Sequence, residues 1–145
     1  MTRHLPLAVA MQVTVKSWNG RQLCLAAPLV SNLNDKGTAF GGSLISLATL
    51  TCWGICWLGL LRDGVEADLV LRQQSSRFMR PVTDELQSCA ECMPASLWQE
   101  QLLLFEEQGH ADLVVTSQVM TINRAGAKRQ AMDYESVFRL RPLPA

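Results

Sequence analysis

From Gly37 to Leu61, all of residues 37 to 61, the chain carries no charge. That absence excludes a helix with a charged face toward water and leaves two choices, a membrane span or a helix enclosed by protein. Net charge is missing as well, since 13 Lys and Arg balance 13 Asp and Glu. Without a basic excess the chain is a poor match for nucleic acid, whose phosphates call for one. Histidine is scarce. His4 and His110 are the only two, each at an element edge with no companion in view, so Ser-His-Asp chemistry has no support. Internal repeats, low-complexity segments and linkers are lacking too, and residues 1–145 read as a single domain.

Cysteine is present in an odd number, Cys24, Cys52, Cys56, Cys89 and Cys92. Together with the absence of a secretory signature this predicts reduced thiols and a cytoplasmic protein. The apolar segment near the N-terminus is short, broken by Pro6, and runs into a strand-like pattern, which argues against a signal peptide. Cys89 and Cys92 have the spacing of a metal half-site, yet on a strand residues three apart face opposite ways. No metal is expected, and the cysteines read as small buried hydrophobes.

Periodicity gives the order of elements. Met11, Val13 and Val15 alternate with polar residues, Asn19-Gly20 makes a turn, and Gln22 to Ala27 returns. A helix from about Gly41 to Leu60 stops at Asp63-Gly64. Asp68 to Arg80 and Leu86 to Met93 read as strands. A second helix follows, with Ser96 and Gln99 spaced as a capping box and Gly109 closing it. Ala111 to Ile122 and Arg129 to Leu140 alternate again across a turn at Asn123 and Gly126. Ser43, Ser46, Thr49 and Thr51 interrupt the apolar run, and amphipathic strands on both sides need cover, so the enclosed helix is preferred to a span. A curved antiparallel sheet wrapped around that helix satisfies every element, an α+β hot-dog fold. One sheet leaves a flank of the helix open, which predicts at least a dimer.

The helix start has chemical meaning. Gly41 and Gly42 leave backbone N–H groups bare at the positive end of the helix dipole, ready for an oxygen that gains negative charge. Gly42, Ser46, Thr49 and Trp53 recur at steps of four, three and four and share one face, with Leu44, Leu47, Ala48, Thr51, Ile55 and Leu58 opposite. Ser and Thr within helices also bond back to a carbonyl one turn earlier, which alone would account for Ser46 and Thr49. Trp53 and Trp57 read as core filler.

Asn32-x-Asn34-x-x-Gly37-Thr38-x-Phe40-Gly41-Gly42-Ser43-Leu44, then Leu50-Thr51-x-Trp53, then Phe78-Met79-Arg80-Pro81-Val82, resemble the YiiD C-terminal-type family. It is a branch of the hot-dog thioesterase superfamily that includes malonyl-acyl-carrier-protein decarboxylases. The likeness covers nearly the whole chain. It implies a substrate carried on phosphopantetheine, as an acyl carrier protein or coenzyme A thioester. It also implies no separate cofactor, and a dimer or tetramer. Ordinary hot-dog thioesterases resemble the motif with a histidine where Phe40 stands and an acidic residue at the position of Thr49. A threonine hydroxyl is no general base near neutral pH, and no carboxylate occurs between Gly37 and Leu61. The resemblance thus implies catalytic roles for Asn34 and Thr49. Gly41, Gly42, Asn32, Phe40, Ser43 and Ser46 are implied as the oxyanion and substrate-binding set.

Arg72 to Arg77 is polar on both faces, as at a subunit interface or along a wet cleft, which puts Gln74 or Ser76 near the substrate arm. Arg77, Arg80, Lys128 and Arg129 are candidates for a basic rim toward an acidic carrier protein or coenzyme A phosphates. The resulting expectation is decarboxylation of malonyl-carrier protein. A thioesterase with a base from Asp68, Asp84 or Glu85 across a dimer, or a non-catalytic acyl-thioester binding domain, are the alternatives.

Overall fold

The computed structural model describes residues 5–145, so His4 lies outside the described residues. The elements are α1 (Pro6–Met11), β1 (Thr14–Trp18), β2 (Gln22–Ala27), α2 (Gly41–Arg62), β3 (Asp68–Phe78), β4 (Leu86–Glu91), α3 (Ala95–Gln108), β5 (Ala111–Ile122) and β6 (Lys128–Arg141). The six strands form one antiparallel sheet in the order β1-β2-β4-β5-β6-β3. Alternation decides which face is the core. On β5, Ala111, Leu113, Val115 and Val119 are buried, and on β6 Met132, Tyr134, Phe138 and Leu140. Those side chains meet Leu44, Leu47, Ala48, Cys52, Ile55 and Cys56 of α2 in one cluster. Each large side chain hidden this way contributes about 1.5–3 kcal/mol.

This is the hot-dog arrangement. Helix α2, with a mean hydropathy of 1.9, is long and apolar enough to cross a membrane, but its apolar side is turned onto the sheet. Its other side, from Ile45 through Thr49 to Trp53, is only half-buried. Strand β3 pairs with β6 alone, so its outer edge is unpaired.

Four expectations need correction. Met11 does not open a strand; Pro6 starts a short helix whose C-cap, Gln12, takes a left-handed conformation at φ 59°. Burial of Ala8 and Met11 outweighs local alternation there. The capping box at Ser96 does not form, because Pro94 holds the cap position and Ser96 already lies inside the helix, without a side-chain cap bond. Cys24 and Cys89 are not reduced: they stand opposite each other on β2 and β4, with Cα atoms 4.1 Å apart, and form a disulfide. Trp53 packs against the core as expected, but Trp57 is not core filler. They stack with ring centroids 5.8 Å apart, and Trp57 is exposed.

Candidate active site

The approach to α2 is a loop tied at both ends by asparagine. The Asn34 Oδ1 accepts from the backbone N–H groups of Lys36 and Thr38 at 2.8 and 3.0 Å. Its amide nitrogen donates to Thr38 Oγ1 at 2.7 Å. The second amide hydrogen reaches Ala39 O only at 3.4 Å, beyond ordinary range, so a substrate oxygen can take it over. Asn32 is buried and donates to the carbonyls of Met11 and Pro28 at 3.0 and 2.8 Å, joining α1 to the loop. Its Oδ1 has no partner among the described residues.

Phe40 is the N-cap of α2 and offers no side-chain acceptor to the helix. The first backbone bonds of the turn run from Ser43 and Leu44 to Phe40 O. The N–H groups of Gly41 and Gly42 find no acceptor among the described residues. Two phenyl rings flank them. A Cβ on Gly41 would touch Phe78 at 3.4 Å, and one on Gly42 would stand 2.6 Å from Phe40. Gly42 is therefore needed for the close approach of the Phe40 ring, whereas at Gly41 a Cβ would make only an ordinary contact with Phe78. Phe40, where the resemblance places a histidine in thioesterases, is an exposed apolar flap.

Thr49 sits two turns down the helix. Its hydroxyl donates to Ile45 O at 2.8 Å, the back-bond expected of any helical threonine. It also lies 2.5 Å from the Tyr134 hydroxyl. A threonine has one hydroxyl hydrogen, so with that used on Ile45 the tyrosine is the donor. Burial raises the Tyr134 pKa above its ordinary 10, the bond to Thr49 opposing that in part, and the phenol stays a donor at neutral pH. Ser46 makes only its back-bond, to Gly42 O at 2.8 Å. Ser43 is half-buried in the first turn.

Beside Thr49 lies an uncharged cleft of about 730 Å³, lined by Ser46, Thr49, Trp53 and Trp57 of α2, by Leu69 and Leu71 of β3, and by α1. No lining residue is a carboxylate or an imidazole. Ser76 pairs in register with Tyr134 and Gln74 with Ser136, so both project on the helix side of the sheet. Ser76 donates to Gln74 at 2.7 Å. Cys52 and Cys56 are no nucleophiles: burial pushes the Cys52 thiol up to about 12 and the Cys56 thiol higher still.

The basic candidates divide. Arg77 lies near Asp133, with 4.0 Å between them. Arg80 and Arg129 share a groove with Arg124, which sequence reasoning overlooked. Lys128 lines a neighbouring hollow with Asp84 and Glu85. Two of the three carboxylates considered as bases are engaged, Asp68 with Arg141 at 2.8 Å and Glu85 with Lys16 at 2.5 Å. Asp84 lies in the arginine groove. Tyr134 was also missed, although it is the only tyrosine in the chain; 85 residues separate it from Thr49.

A long helix with bare N-terminal amides, packed on an antiparallel sheet and flanked on its half-buried side by an uncharged cleft, is the layout of a hot-dog protein. Residues 1–138 match the family described as "Putative thioesterase (yiiD_Cterm)", and the chain belongs to it. A solved Shewanella oneidensis protein described as a "putative thioesterase" is 25% identical, with a TM-score of 0.79 over 97% of this chain and 91% of that one. A Chlorobaculum tepidum protein of unknown function is 23% identical, with a TM-score of 0.90 over 97% and 89% of the two chains. A thioesterase family protein from Silicibacter pomeroyi is 13% identical, with a TM-score of 0.68 over 97% and 92%. The first is similar in fold and sequence; the other two share the fold.

Proposed function

We propose that the chain decarboxylates malonyl-acyl carrier protein to acetyl-acyl carrier protein. The observation that carries this reading is a pair of bare amides at the start of α2 and a hydroxyl pair two turns along it, with no carboxylate or imidazole lining the cleft beside Thr49. Hydrolysis needs an activated water as well as an oxyanion site. Decarboxylation needs only the second. The Gly41 and Gly42 N–H groups hold the thioester oxygen while the carbon–carbon bond breaks, its electron pair passing into the enolate and carbon dioxide leaving. A solvent proton then ends on the new methyl carbon. One oxyanion donor can lower such a barrier by about 3 kcal/mol.

Thr49, roughly 11 Å further along α2 by helical rise, meets the departing carboxylate across the homodimer, where a thioester lies on the other protomer's amides; it swings its hydroxyl hydrogen away from Ile45 O while the Tyr134 O–H continues to support its oxygen. The uncharged cleft keeps that carboxylate poorly solvated, which favours moving its charge inward. Asn34 keeps the loop in shape and offers its weakly held amide hydrogen. The active unit is a homodimer: a second copy covers the open flank of α2 and the free edge of β3. A cytoplasmic location fits a carrier-protein substrate.

The cleft's apolar lining favours one second reading, a thioesterase or acyl-binding domain for longer chains. Mass spectrometry of malonyl-carrier protein after incubation separates the outcomes. Loss of carbon dioxide with the thioester intact is expected. Release of a free pantetheine thiol would mean hydrolysis, and an unchanged mass would mean binding alone.

A further inference from the structure

The cleft beside Thr49 has far more room than a malonyl group fills. It spans about 730 Å³, the size of pockets that take whole small molecules. Apart from two indole nitrogens, its only polar side chains are Ser46 and Thr49, both on α2. Ile45, Leu50 and Trp53 stand within about one helical turn of Thr49, with Leu69 and Leu71 of β3 and Phe138 of β6 also lining the cleft. One acyl group then has three features to meet. Bare amides await a thioester oxygen, the Thr49–Tyr134 hydroxyl pair suits a carboxylate, and the rest of the cleft is apolar. A straight fatty acyl chain meets the first and the third but brings no carboxylate. A malonyl group meets the first two and leaves the apolar wall against water, which forfeits the free energy of burying it.

Malonyl has one position at which an apolar group can be added without disturbing either end, the carbon between thioester and carboxylate. We propose that the substrate class extends to 2-alkylmalonyl thioesters, preferred over malonyl itself, with the alkyl branch lying in this cleft against Leu50, Trp53, Leu69 and Leu71. This rests on the decarboxylase reading above and keeps malonyl as the smallest member of the class. The bond from the branched carbon to the carboxylate breaks, its electron pair passes into the enolate, and carbon dioxide leaves. A solvent proton ends on that same carbon, and a straight-chain acyl thioester remains. Nothing is oxidised or reduced.

Carrier protein loaded with malonyl, methylmalonyl or ethylmalonyl groups tests it, with the products followed by mass spectrometry. Across that series kcat/KM should rise about threefold for each carbon added, through a lower KM, as burial of a methylene requires. Leu71→Trp narrows the cleft at a side chain that is 38% exposed. It should flatten the rise, bringing the ratio of ethylmalonyl to malonyl kcat/KM down to about one. The ratio is taken within each variant, so a general loss of activity does not imitate the effect. If a lowered melting point shows that Leu71→Trp disturbs β3, Leu50→Phe on α2 gives the same reading. No carbon dioxide from any of the three groups brings down the decarboxylase reading and this proposal together. Malonyl decarboxylated while branched groups react equally well, or are refused, overturns this proposal alone; refusal would mean that a second copy fills the cleft. A rise that survives both variants overturns it as well.

Discussion

The two ends of α2 carry the same device and use it oppositely. At the N-terminal end Gly42 lies under Phe40, and at the C-terminal end Gly59 lies under Trp98, whose ring atoms would stand 2.8 Å from an added Cβ. Trp98 is buried and donates through Nε1 to Asp63 at 2.6 Å. Asp63 also receives the Arg62 guanidinium at 3.1 and 3.2 Å. That end is finished: its ring is fixed and its polar groups are matched. The other end keeps an exposed ring and two amides with nothing to donate to among the described residues. A helix start that keeps bare amides is a place for an anionic oxygen to bind.

Several substitutions sharpen or break that contrast. The largest effect should come from Thr49→Ala, with turnover of malonyl-carrier protein falling at least about tenfold and up to roughly a hundredfold; an unchanged rate removes the site assignment. Gly42→Ala should lower turnover about tenfold by setting a methyl beside the amides, with stability held within about 0.5 kcal/mol because the exposed Phe40 ring can swing into solvent. Tyr134→Phe, which leaves Thr49 without its donor, should cost about threefold to tenfold in rate, the worth of one hydrogen bond.

Gly59→Ala should do the reverse of Gly42→Ala. Crowding against Trp98 should cost about 1–3 kcal/mol, set against a helix-propensity gain of about 1, while turnover per folded molecule is kept. If both alanine variants behave alike by thermal melt and by assay, the contrast fails. The smallest effect concerns pH. Hydrogen bonds from Arg62, then from Trp98, hold the Asp63 carboxyl below its ordinary 3.8. A carboxylate depressed in the folded state stabilises fully above that range, and its contribution is lost as the pH falls through the lower folded value. Asp63→Asn should therefore lower Tm by roughly 2–4 °C at neutral pH. The difference should close in strongly acidic buffer.

Much of this was legible in the chain because period and punctuation agreed. Alternation marked β5 and β6, the charge-free run marked α2, and the steps from Gly42 to Trp53 marked its half-buried face. What stayed hidden depended on register. Nothing local sets Cys24 opposite Cys89, or Tyr134 beside Thr49; both follow from which strands neighbour each other in the sheet. α1 was misread because six residues hold too few turns to show a helical period. The Asn34 hydrogen bonds were out of reach for a related reason, since turn residues take their partners from a loop shape that the sequence only outlines.

The unpaired edge of β3 has a consequence for anyone who measures this protein. Alternate residues of its eleven present backbone donors and acceptors unpaired among the described residues, and on the helix side Leu71 and Phe78 stand exposed with no charge between them. In the homodimer proposed above a second copy docks along that edge, and the folded population then follows mass action. Melting points taken at micromolar and at millimolar dilution should therefore disagree, with the concentrated sample the hardier of the two.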